Sequence, residues 1–419
     1  MSPGAGRGRI LVVGGGITGI SAAVEASEAG ADVVLVEREA FLGGRVARSH
    51  LYFPKLCPPA CGLEISLRRI RTSPRIRVLT LAEVESVAGG PGRYRAAVRR
   101  MPRFVNERCT ACGACVEPCP ETRPDAFNGG VGTTKAVYLP FETAHPLRFA
   151  IDGKACKGPE CGKCLPACPY GAIDLGMKPE TEELDVAAVI WATGWQPPDA
   201  ARFEGLGFGT HRDVITNVMM ERLASPTGPT AGRIQRPSDG KGIASVAFVQ
   251  CAGSRDENHL KHCSGVCCMA SLKQALYVRA QHPDAEIFIF YIDIRAPGRM
   301  EDFFTASKTD AKLHLVRGKV AKVTGEAGGL VVEAEDTLSG ARVRQAVDLV
   351  VLATGMQPSG IGGTRVEGGL LTDGSGFLAD GQPRGGLLAA GCAKRPTDVS
   401  ACMRDATGAA LKALQFCGN

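Results

Sequence analysis

The sequence predicts an α/β protein with two nucleotide-binding-type domains, the first of them interrupted by a small cysteine-rich α+β domain. Three observations predict this architecture: a glycine-rich strand–helix–strand pattern opens the chain, a strand ending in Ala-Thr-Gly occurs twice downstream, and eight cysteines form two short runs before the first of these strands. The predicted boundaries are 1–100 for the first part of domain one, 101–180 for the insert, 181–200 for a return strand, 201–242 for a linker or partner-contacting loop, 243–358 for domain two and 359–419 for the end of domain one.

The composition limits the classes of function. A chain of 419 residues is long enough for two or three domains with sizeable cores. The net charge of +6 is mild and no long run of like charges occurs, so nucleic-acid binding has little support. No apolar stretch approaches the length of a membrane span, and the short N-terminus predicts no secretory signal. Seventeen cysteines in such a chain predict reduced, metal-binding thiols in the cytoplasm.

The chain opens with a dinucleotide-binding pattern. The apolar strand 9–13 runs directly into Gly14-Gly15-Gly16-Ile17-Thr18-Gly19, a helical stretch follows, and a second strand ends at Glu37. Gly14 permits the tight turn, Gly16 lets the backbone approach a pyrophosphate, and Gly19 allows close helix–sheet packing. Glu37 is placed to bind ribose hydroxyls. The alternative is a glycine-rich turn without a ligand. It does not explain why a strand, the glycines, a helix, a second strand and an acidic residue occur in this order.

Eight cysteines form two runs that each end in Cys-Pro: Cys109-x2-Cys112-x2-Cys115-x3-Cys119 and Cys156-x4-Cys161-x2-Cys164-x3-Cys168. This is the ligand spacing of two-cluster bacterial ferredoxins, except that the first gap of the second run is two residues longer. In such ferredoxins the last cysteine of each run binds the cluster of the other run. Structural zinc or disulfides are the alternatives, but neither calls for runs of four closed by Cys-Pro. The spacing predicts one [4Fe-4S] cluster on Cys109, Cys112, Cys115 and Cys168, and another on Cys156, Cys161, Cys164 and Cys119.

A further group of cysteines lies in the second domain. A strand is predicted over 244–250, and in pyridine-nucleotide enzymes the loop after it would carry phosphate-binding glycines. Here that loop lacks them, which predicts that nicotinamide binding has been lost. It carries Cys251, followed by Cys263, Cys267 and Cys268, and this grouping predicts a third cluster. Buried, inert thiols are the alternative.

The remaining cysteines give weaker signals. Cys57 and Cys61 form either a redox disulfide or a stiff turn. Cys392, Cys402 and Cys417 show no spacing logic and are predicted to be structural.

Several segments resemble FAD enzymes of the glutathione-reductase and thioredoxin-reductase type. Gly43-Gly44-Arg45 follows Glu37 closely. In that class, a glycine pair at the corresponding position lets the chain pass near the cofactor. The Ala-Thr-Gly segments resemble the two crossings between its nucleotide domains, and Gly391 stands where the class closes over the flavin, although Cys392 replaces the usual Asp. The resemblance implies a thioredoxin-reductase-like FAD fold and extends the cofactor-binding residues to Gly43, Gly44, Arg45, Ala192, Thr193, Gly194, Gly355 and Gly391.

Nearly the whole chain resembles the heterodisulfide reductase A family, flavoproteins of this fold with an inserted two-cluster ferredoxin. In that family, a [4Fe-4S] cluster is bound by the cysteines that match Cys251, Cys263, Cys267 and Cys268, including the adjacent pair. The resemblance also implies that Lys273, one helical turn past that pair, lies beside the flavin and acts in catalysis by stabilising its reduced, anionic form.

The chain length and the segment 52–65 (YFPKLCPPACGLEI) are similar to the corresponding flavoprotein of the quinone-interacting membrane-bound oxidoreductases, known as Qmo. This implies electron transfer between the quinone pool and adenylylsulfate reductase in dissimilatory sulfur metabolism, with flavin-based bifurcation or confurcation left open. The implied partners are a second flavoprotein of the same type and a membrane quinone-reactive subunit, which would hold the protein at the cytoplasmic face of the inner membrane. The sequence is also compatible with a homodimer.

Two other functions stay open. One is an NAD(P)H-dependent oxidoreductase of the ferredoxin type, similar to the small subunit of glutamate synthase. The other is a non-catalytic scaffold that retains FAD as a structural group. The missing glycines after strand 244–250 argue against the first.

Overall fold

The computed structural model describes residues 7–326 and 328–418. Up to residue 196 the helices and strands are β1 (Arg7–Val13), α1 (Ile17–Glu28), β2 (Ala31–Glu37), α2 (Pro59–Thr72), β3 (Ile76–Thr80), β4 (Ala82–Gly90), β5 (Arg93–Arg100), β6 (Thr122–Pro124), β7 (Thr133–Lys135), β8 (Val137–Tyr138), β9 (Ala150–Ile151), α3 (Cys164–Ala167), β10 (Glu180–Val186), β11 (Ala188–Trp191) and β12 (Trp195–Gln196).

The remaining elements are β13 (Val214–Thr216), α4 (Asn217–Ala224), β14 (Ser245–Val249), α5 (Cys267–Gln281), β15 (Glu286–Tyr291), α6 (Met300–Ser307), β16 (Leu313–Arg317), β17 (Val320–Glu326), β18 (Gly329–Asp336), β19 (Ala341–Val347), β20 (Leu349–Leu352), β21 (Gln357–Pro358), β22 (Arg365–Val366), β23 (Leu387–Ala389) and α7 (Val399–Leu414). Contacts among the described residues divide the chain into unit 1 (1–195 and 358–419) and unit 2 (196–357).

A parallel sheet in the order β23-β11-β1-β2-β3 forms the centre of unit 1. Strands buried on both faces read as continuous apolar runs, and Ile10, Leu11 and Val12 are fully buried in β1. Helices α1 and α7 pack on one face through small side chains, which allow a close approach. The carboxyl ends of β1, β2 and β11 therefore meet at one edge, where ligands bind in such sheets.

A second sheet of unit 1 has the order β10-β5-β4-β22. Strands β5 and β10 are antiparallel, and their pairing begins with Arg100 opposite Glu180. The cysteine-rich segment between them leaves and rejoins this sheet at neighbouring positions in the ladder. Its own regular structure is short: β6 pairs with β7, β8 pairs with β9, and a bridge joins Val105 to Ile173.

Unit 2 contains a parallel sheet in the order β13-β20-β14-β15-β16 and an antiparallel sheet in the order β17-β18-β19. Val246, Phe248 and Ile287 are fully buried in the parallel sheet, with helix α5 following β14 as expected for an α/β unit. Thus α5 begins at the carboxyl edge of β14, the position where a nicotinamide-binding domain would hold its phosphates.

The segment 201–242 differs from the predicted loop or linker. It contains β13 and α4, and the Thr216 hydroxyl caps α4 by accepting a hydrogen bond from the Met219 amide. The many Gly and Pro residues after 225 are typical of a loop. They outweigh the weaker signals of the short strand and the capped helix that precede them. Among residues 7–326 and 328–418, no helix is sufficiently long and apolar to cross a membrane.

Candidate cofactor sites

The glycine turn after β1 is packed so tightly that only glycine fits at two of its positions. Gly14 has a φ of +109°, and a Cβ there would lie 2.3 Å from the Ala192 carbonyl oxygen. A Cβ on Gly19 would lie 1.8 Å from the Gly14 carbonyl oxygen. Gly16 is different, because its nearest neighbour would be the Gly44 Cα at 3.9 Å. The space in front of Gly16 is therefore open, and no side chain caps helix α1 behind it.

Glu37 ends β2 beside this turn and is 7% exposed. Its carboxylate accepts hydrogen bonds from the amides of Gly15 at 2.6 Å and Glu39 at 2.8 Å. Burial raises the pKa of the carboxyl group above its usual value, while the two amide donors oppose that change. The carboxylate is held rigidly at the edge of the sheet, where it is suited to accept hydrogen bonds from ribose hydroxyls.

The segment Gly43-Gly44-Arg45 lies against the same turn. The Gly43 amide donates to the Gly15 carbonyl at 2.8 Å, and a Cβ on Gly44 would lie 2.8 Å from the Gly16 Cα. The Arg45 guanidinium lies 5.2 Å from the centre of the Trp195 ring, a cation–π distance. Burial lowers the pKa of Arg45 to about 10.

The return strand and the C-terminal segment complete the group in unit 1. The Ala192 amide donates to the Val13 carbonyl at 2.8 Å, and the next residue, Thr193, has a buried hydroxyl without a hydrogen-bond partner among the described residues. Gly194 has a φ of +70° with open space around it. The Gly391 amide donates to the Asp405 carboxylate at 2.7 Å. The open cradle at Gly16 and the orphaned hydroxyl of Thr193 fit a bound dinucleotide such as FAD.

The cysteine-rich segment is attached beside this group through Arg103, a residue that the sequence did not single out. Its buried guanidinium donates to the Ala40 carbonyl and, at 2.7 Å, to the Thr80 hydroxyl. Phe127 and Phe41 also make an edge-to-face contact, with ring centres 5.5 Å apart. The insert therefore packs on the chain immediately before Gly43.

The structure brings together the first predicted cluster set. Cys109, Cys112, Cys115 and Cys168 line one small pocket, together with apolar residues. Burial, together with the thiols of Cys109, Cys168 and Cys112, raises the pKa of the Cys115 thiol to about 11. Three cysteines of the first run thus face the last cysteine of the second, in the crossed arrangement that the spacing predicts.

The complementary set is grouped in the same crossed way. Burial raises the pKa of the Cys164 thiol, with additional electrostatic contributions from Cys156, Cys119 and Cys161. The Gly158 amide donates to the Cys156 sulfur at 3.3 Å, a type of hydrogen bond that tunes cluster potentials. Cys119 belongs to the first run, so each run contributes its last thiol to the other set.

The third set lies in unit 2 at the carboxyl edge of β14. Cys251 adopts a φ of +56°, which is uncommon for a residue with a Cβ and is found where function requires a particular side-chain direction. Burial, together with the thiols of Cys268 and Cys263, raises its pKa to about 11. Burial also raises the pKa of Cys267, whose sulfur interacts with the other three thiols and accepts a hydrogen bond from the Gly355 amide.

Gly355 was grouped with the flavin residues by resemblance, and the structure places it beside the third set. A Cβ on Gly355 would lie 2.3 Å from the Ser254 hydroxyl and 2.9 Å from that of Ser264. The Arg255 guanidinium pairs with the Asp293 carboxylate and opposes the rise in the pKa of Cys251. A cationic side chain therefore stands next to these four buried or half-buried thiols.

Lys273 lies on α5 and is almost completely buried. Its ammonium group is 3.0 Å from the Glu221 carboxylate on α4, and it lies 5.6 Å from the centre of the Tyr277 ring. Glu221 also accepts hydrogen bonds from Gln274 at 2.8 Å and Tyr277 at 3.3 Å. Glu221 was not predicted as a site residue, because it falls in the segment predicted to be a linker.

The other cysteines are distributed through unit 1. Cys57 and Cys61 lie at the start of α2, and Cys61 is exposed. Cys392 and Cys402 are buried with their sulfur atoms 3.7 Å apart, and the buried Cys417 thiol donates to the Ala413 carbonyl. Within the described residues, no group of three or more His, Cys, Asp or Glu is arranged around a single metal ion.

Comparisons with known proteins agree with this architecture. The family model "FAD dependent oxidoreductase" matches residues 9–56. The A subunit of ferredoxin:CoB-CoM heterodisulfide reductase from Methanosarcina mazei is 39% identical over 98% of the chain and 53% of its own length. The iron–sulfur A subunit of CoB–CoM heterodisulfide reductase from Methanocaldococcus jannaschii is 38% identical over 96% of the chain and 63% of its own length. The chain thus spans between half and two thirds of these relatives.

Among solved structures, the thioredoxin reductases of T. acidophilum and Lactococcus lactis are similar in fold. The first has a TM-score of 0.53 at 14% identity and covers 97% of both chains. The second has a TM-score of 0.54 at 11% identity and covers 98% of this chain and 99% of its own. The predicted thioredoxin-reductase-like FAD fold is confirmed.

Proposed function

Because this chain is an FAD-dependent oxidoreductase homologous to the heterodisulfide reductase A family over nearly its whole length, we propose that it is the electron-distributing subunit of a heterodisulfide-reductase-like complex. The observation that carries the proposal is the crossed grouping of the cysteine runs, with Cys168 beside Cys109, Cys112 and Cys115. Such a group binds a carrier of single electrons, and it lies on the unit that holds the dinucleotide cradle.

Iron–sulfur clusters fit the cysteines better than isolated thiols do. Twelve cysteines lie in three groups of four, and buried members such as Cys115 and Cys251 have pKa values raised by the thiols around them. Because four adjacent thiolates repel each other, binding positively charged iron removes a destabilising interaction. Each group thus gains by holding a [4Fe-4S] cluster, and the chain is proposed to hold three.

The third group supports a change of electron source relative to nicotinamide-dependent reductases. The loop from 251 to 268 occupies the edge of β14 where a dinucleotide phosphate would bind, and it presents Cys251 and Cys268 there. Buried thiols at this edge leave no glycine cradle for a pyrophosphate. Electrons are therefore proposed to enter or leave this unit through a cluster.

FAD, when bound, supplies exchange between two-electron and one-electron transfer. We propose that residues of unit 1 would hold it, with Gly16 and the start of α1 at the pyrophosphate and the Glu37 carboxylate accepting from the ribose hydroxyls. The family resemblance also implies a catalytic role for Lys273, and we propose that Glu221 orients its ammonium group within unit 2.

The resemblance of residues 52–65 to the quinone-interacting oxidoreductases supports a proposal for the electron donor and acceptor of the complex. We propose that the complex links the quinone pool to adenylylsulfate reductase. Its other members are proposed to be a second flavoprotein of this type and a membrane quinone-reactive subunit, which holds the protein at the cytoplasmic membrane face.

Anaerobic purification with iron, sulfide and flavin analysis tests the proposal. Three [4Fe-4S] clusters require about twelve iron atoms per FAD. A content of about eight would contradict the proposed third cluster. Cys251→Ala should lose one cluster while FAD stays bound, with Cys417→Ser as the control that keeps all three. Rapid bleaching of the flavin by NADH or NADPH alone would contradict the proposed loss of the nicotinamide site.

A further inference from the structure

Cys392 and Cys402 come together although they belong to different elements. Cys392 follows Gly391 in a short 3-10 turn after β23, and Cys402 lies in the first turn and a half of α7. Their sulfur atoms are 3.7 Å apart, and both residues are at most 5% exposed. A disulfide requires about 2.05 Å, so the sulfurs must approach by roughly 1.7 Å.

The surroundings of the two thiols differ in a way that separates their roles. The Cys392 thiol donates to the Thr397 carbonyl at 3.4 Å. The Cys402 sulfur shares a hydrogen bond with Cys392 in which either thiol can be the donor, and it also accepts one from the Thr18 hydroxyl; the contact with Cys392 is the larger cause of its lowered pKa. The positive end of the α7 dipole also favours a thiolate at Cys402. The position of Cys402 near the N-terminus of α7 makes it the nucleophile, and Cys392 is the resolving thiol.

The pair is joined to the cofactor cradle. Thr18 is the second residue of α1, directly after the glycine turn, and its hydroxyl reaches Cys402. Gly391, next to Cys392, packs against the Thr18 side chain, where a Cβ would be 2.3 Å from the hydroxyl oxygen. Its amide is held by Asp405, which also pairs with Lys394 at 2.6 Å. A bond between the two sulfurs would therefore fix the C-terminal segment of the cradle.

We propose that Cys392 and Cys402 form a reversible disulfide by exchange with a low-molecular-weight disulfide, and that this bond locks the segment that closes the dinucleotide site. The Cys402 thiolate attacks one sulfur of the small disulfide, which releases the first small thiolate and leaves a mixed disulfide on Cys402. Cys392 then attacks the Cys402 sulfur and expels the second small thiolate. Two protein thiols are oxidised, one small disulfide is reduced to two thiols, and the two protons are taken up by the released thiolates.

Peptide mapping of the whole protein tests the bond directly. The anaerobically purified holoprotein is incubated with cystamine or with dithiothreitol, quenched in acid, alkylated and digested with trypsin. Cleavage after Lys394 separates the two cysteines into different peptides. We expect a peptide joining Cys392 to Cys402 after cystamine and its loss after dithiothreitol.

The exposed Cys61 thiol reports that cystamine has reacted. Recovery of Cys392 and Cys402 as alkylated thiols while Cys61 carries the reagent would overturn the proposal. Cys402→Ser should abolish the joined peptide, whereas Cys417→Ser, a buried cysteine of the same unit, should keep it. Because the mapping is made on the wild-type chain, the proposal stays testable even if a variant fails to fold.

The functional consequence has its own measurement. We expect the cystamine-treated protein to release FAD at a higher urea concentration than the reduced protein, with no difference for Cys402→Ser. An equal or lower midpoint for the oxidised wild type would contradict a locking role. Iron content per FAD should be the same in wild type and Cys402→Ser, so this result is independent of the proposed clusters.

Discussion

Lys273 and Glu221 form an ion pair inside unit 2, with the ammonium nitrogen 3.0 Å from the carboxylate oxygen. The two side chains are 8% and 11% exposed, so neither charge has much water around it. This pair links helices α4 and α5. Glu221, which lies in the segment predicted to be a linker, thus holds the side chain of Lys273, the predicted catalytic residue.

Removal of one member should be strongly destabilising. Lys273→Met leaves the Glu221 carboxylate buried without its cation, and breaking a buried pair typically costs about 3–5 kcal/mol. We expect a lower urea midpoint for Lys273→Met and for Glu221→Leu, and a smaller loss in the double variant, because no unpaired charge remains. Lys312→Met, in an exposed pair with Asp284, is the control and should change the midpoint little. Additive losses in the double variant would argue against a coupled pair.

Gly16→Ala should separate cofactor binding from folding. A Cβ at Gly16 meets no protein atom closer than 3.9 Å, but it points into the space assigned to the pyrophosphate. We expect a normal far-ultraviolet circular dichroism spectrum and FAD binding weakened at least about tenfold, equivalent to about 1.4 kcal/mol. Gly408→Ala, an open position in α7, is the matched control and should bind FAD as wild type does. Unchanged FAD affinity in Gly16→Ala would show that the pyrophosphate does not bind in front of Gly16.

The crossed cluster assignment predicts a pattern that single variants cannot give. Cys109 and Cys168 belong to one set, and Cys119 belongs to the other. The double variant Cys109→Ala/Cys168→Ala should lose one cluster, leaving about eight iron atoms per FAD. The double variant Cys109→Ala/Cys119→Ala should lose two and retain about four. The reverse order of iron contents would show that each run binds its own cluster.

His145 predicts a pH dependence of stability. Burial lowers its pKa from 6.5 to about 4, and Arg71 contributes in the same direction. Because the folded state holds the ring neutral, the stabilisation is complete above pH 6.5 and is lost as the pH falls towards 4. The change is expected to reach about 2 kcal/mol, since the ring is partly screened by solvent. Urea midpoints measured between about pH 7 and pH 5 should fall less steeply for His145→Gln, and equal slopes would contradict the assignment.

The parts that could be predicted from the sequence are those whose signal is local. The strand 9–13 and the glycines after it show their geometry in consecutive residues, because the turn requires a positive φ at Gly14 and no side chain at Gly19. The cysteine runs are similar, since each contains most of the ligands for one cluster.

The parts that escaped prediction depend on contacts between distant segments. The proximity of Cys392 and Cys402 was not predicted, because nothing in their spacing shows that a 3-10 turn and a helix bring their sulfur atoms within 3.7 Å. Arg103 carries no motif that would single it out, yet its hydrogen bonds to Ala40 and Thr80 attach the insert to the chain before Gly43. Glu221 was missed because the Gly/Pro-rich residues after it outweighed the short helix that carries it.

The ladder of β5 and β10 has a consequence for the cysteine-rich segment. Arg100 and Glu180 are direct antiparallel neighbours, so the chain between them begins and ends at the same place. A two-residue hairpin turn would close that gap without disturbing the remaining register. The register of β5 and β10 therefore does not depend on the length of the segment, which is attached to the flavin unit at a single point along this ladder.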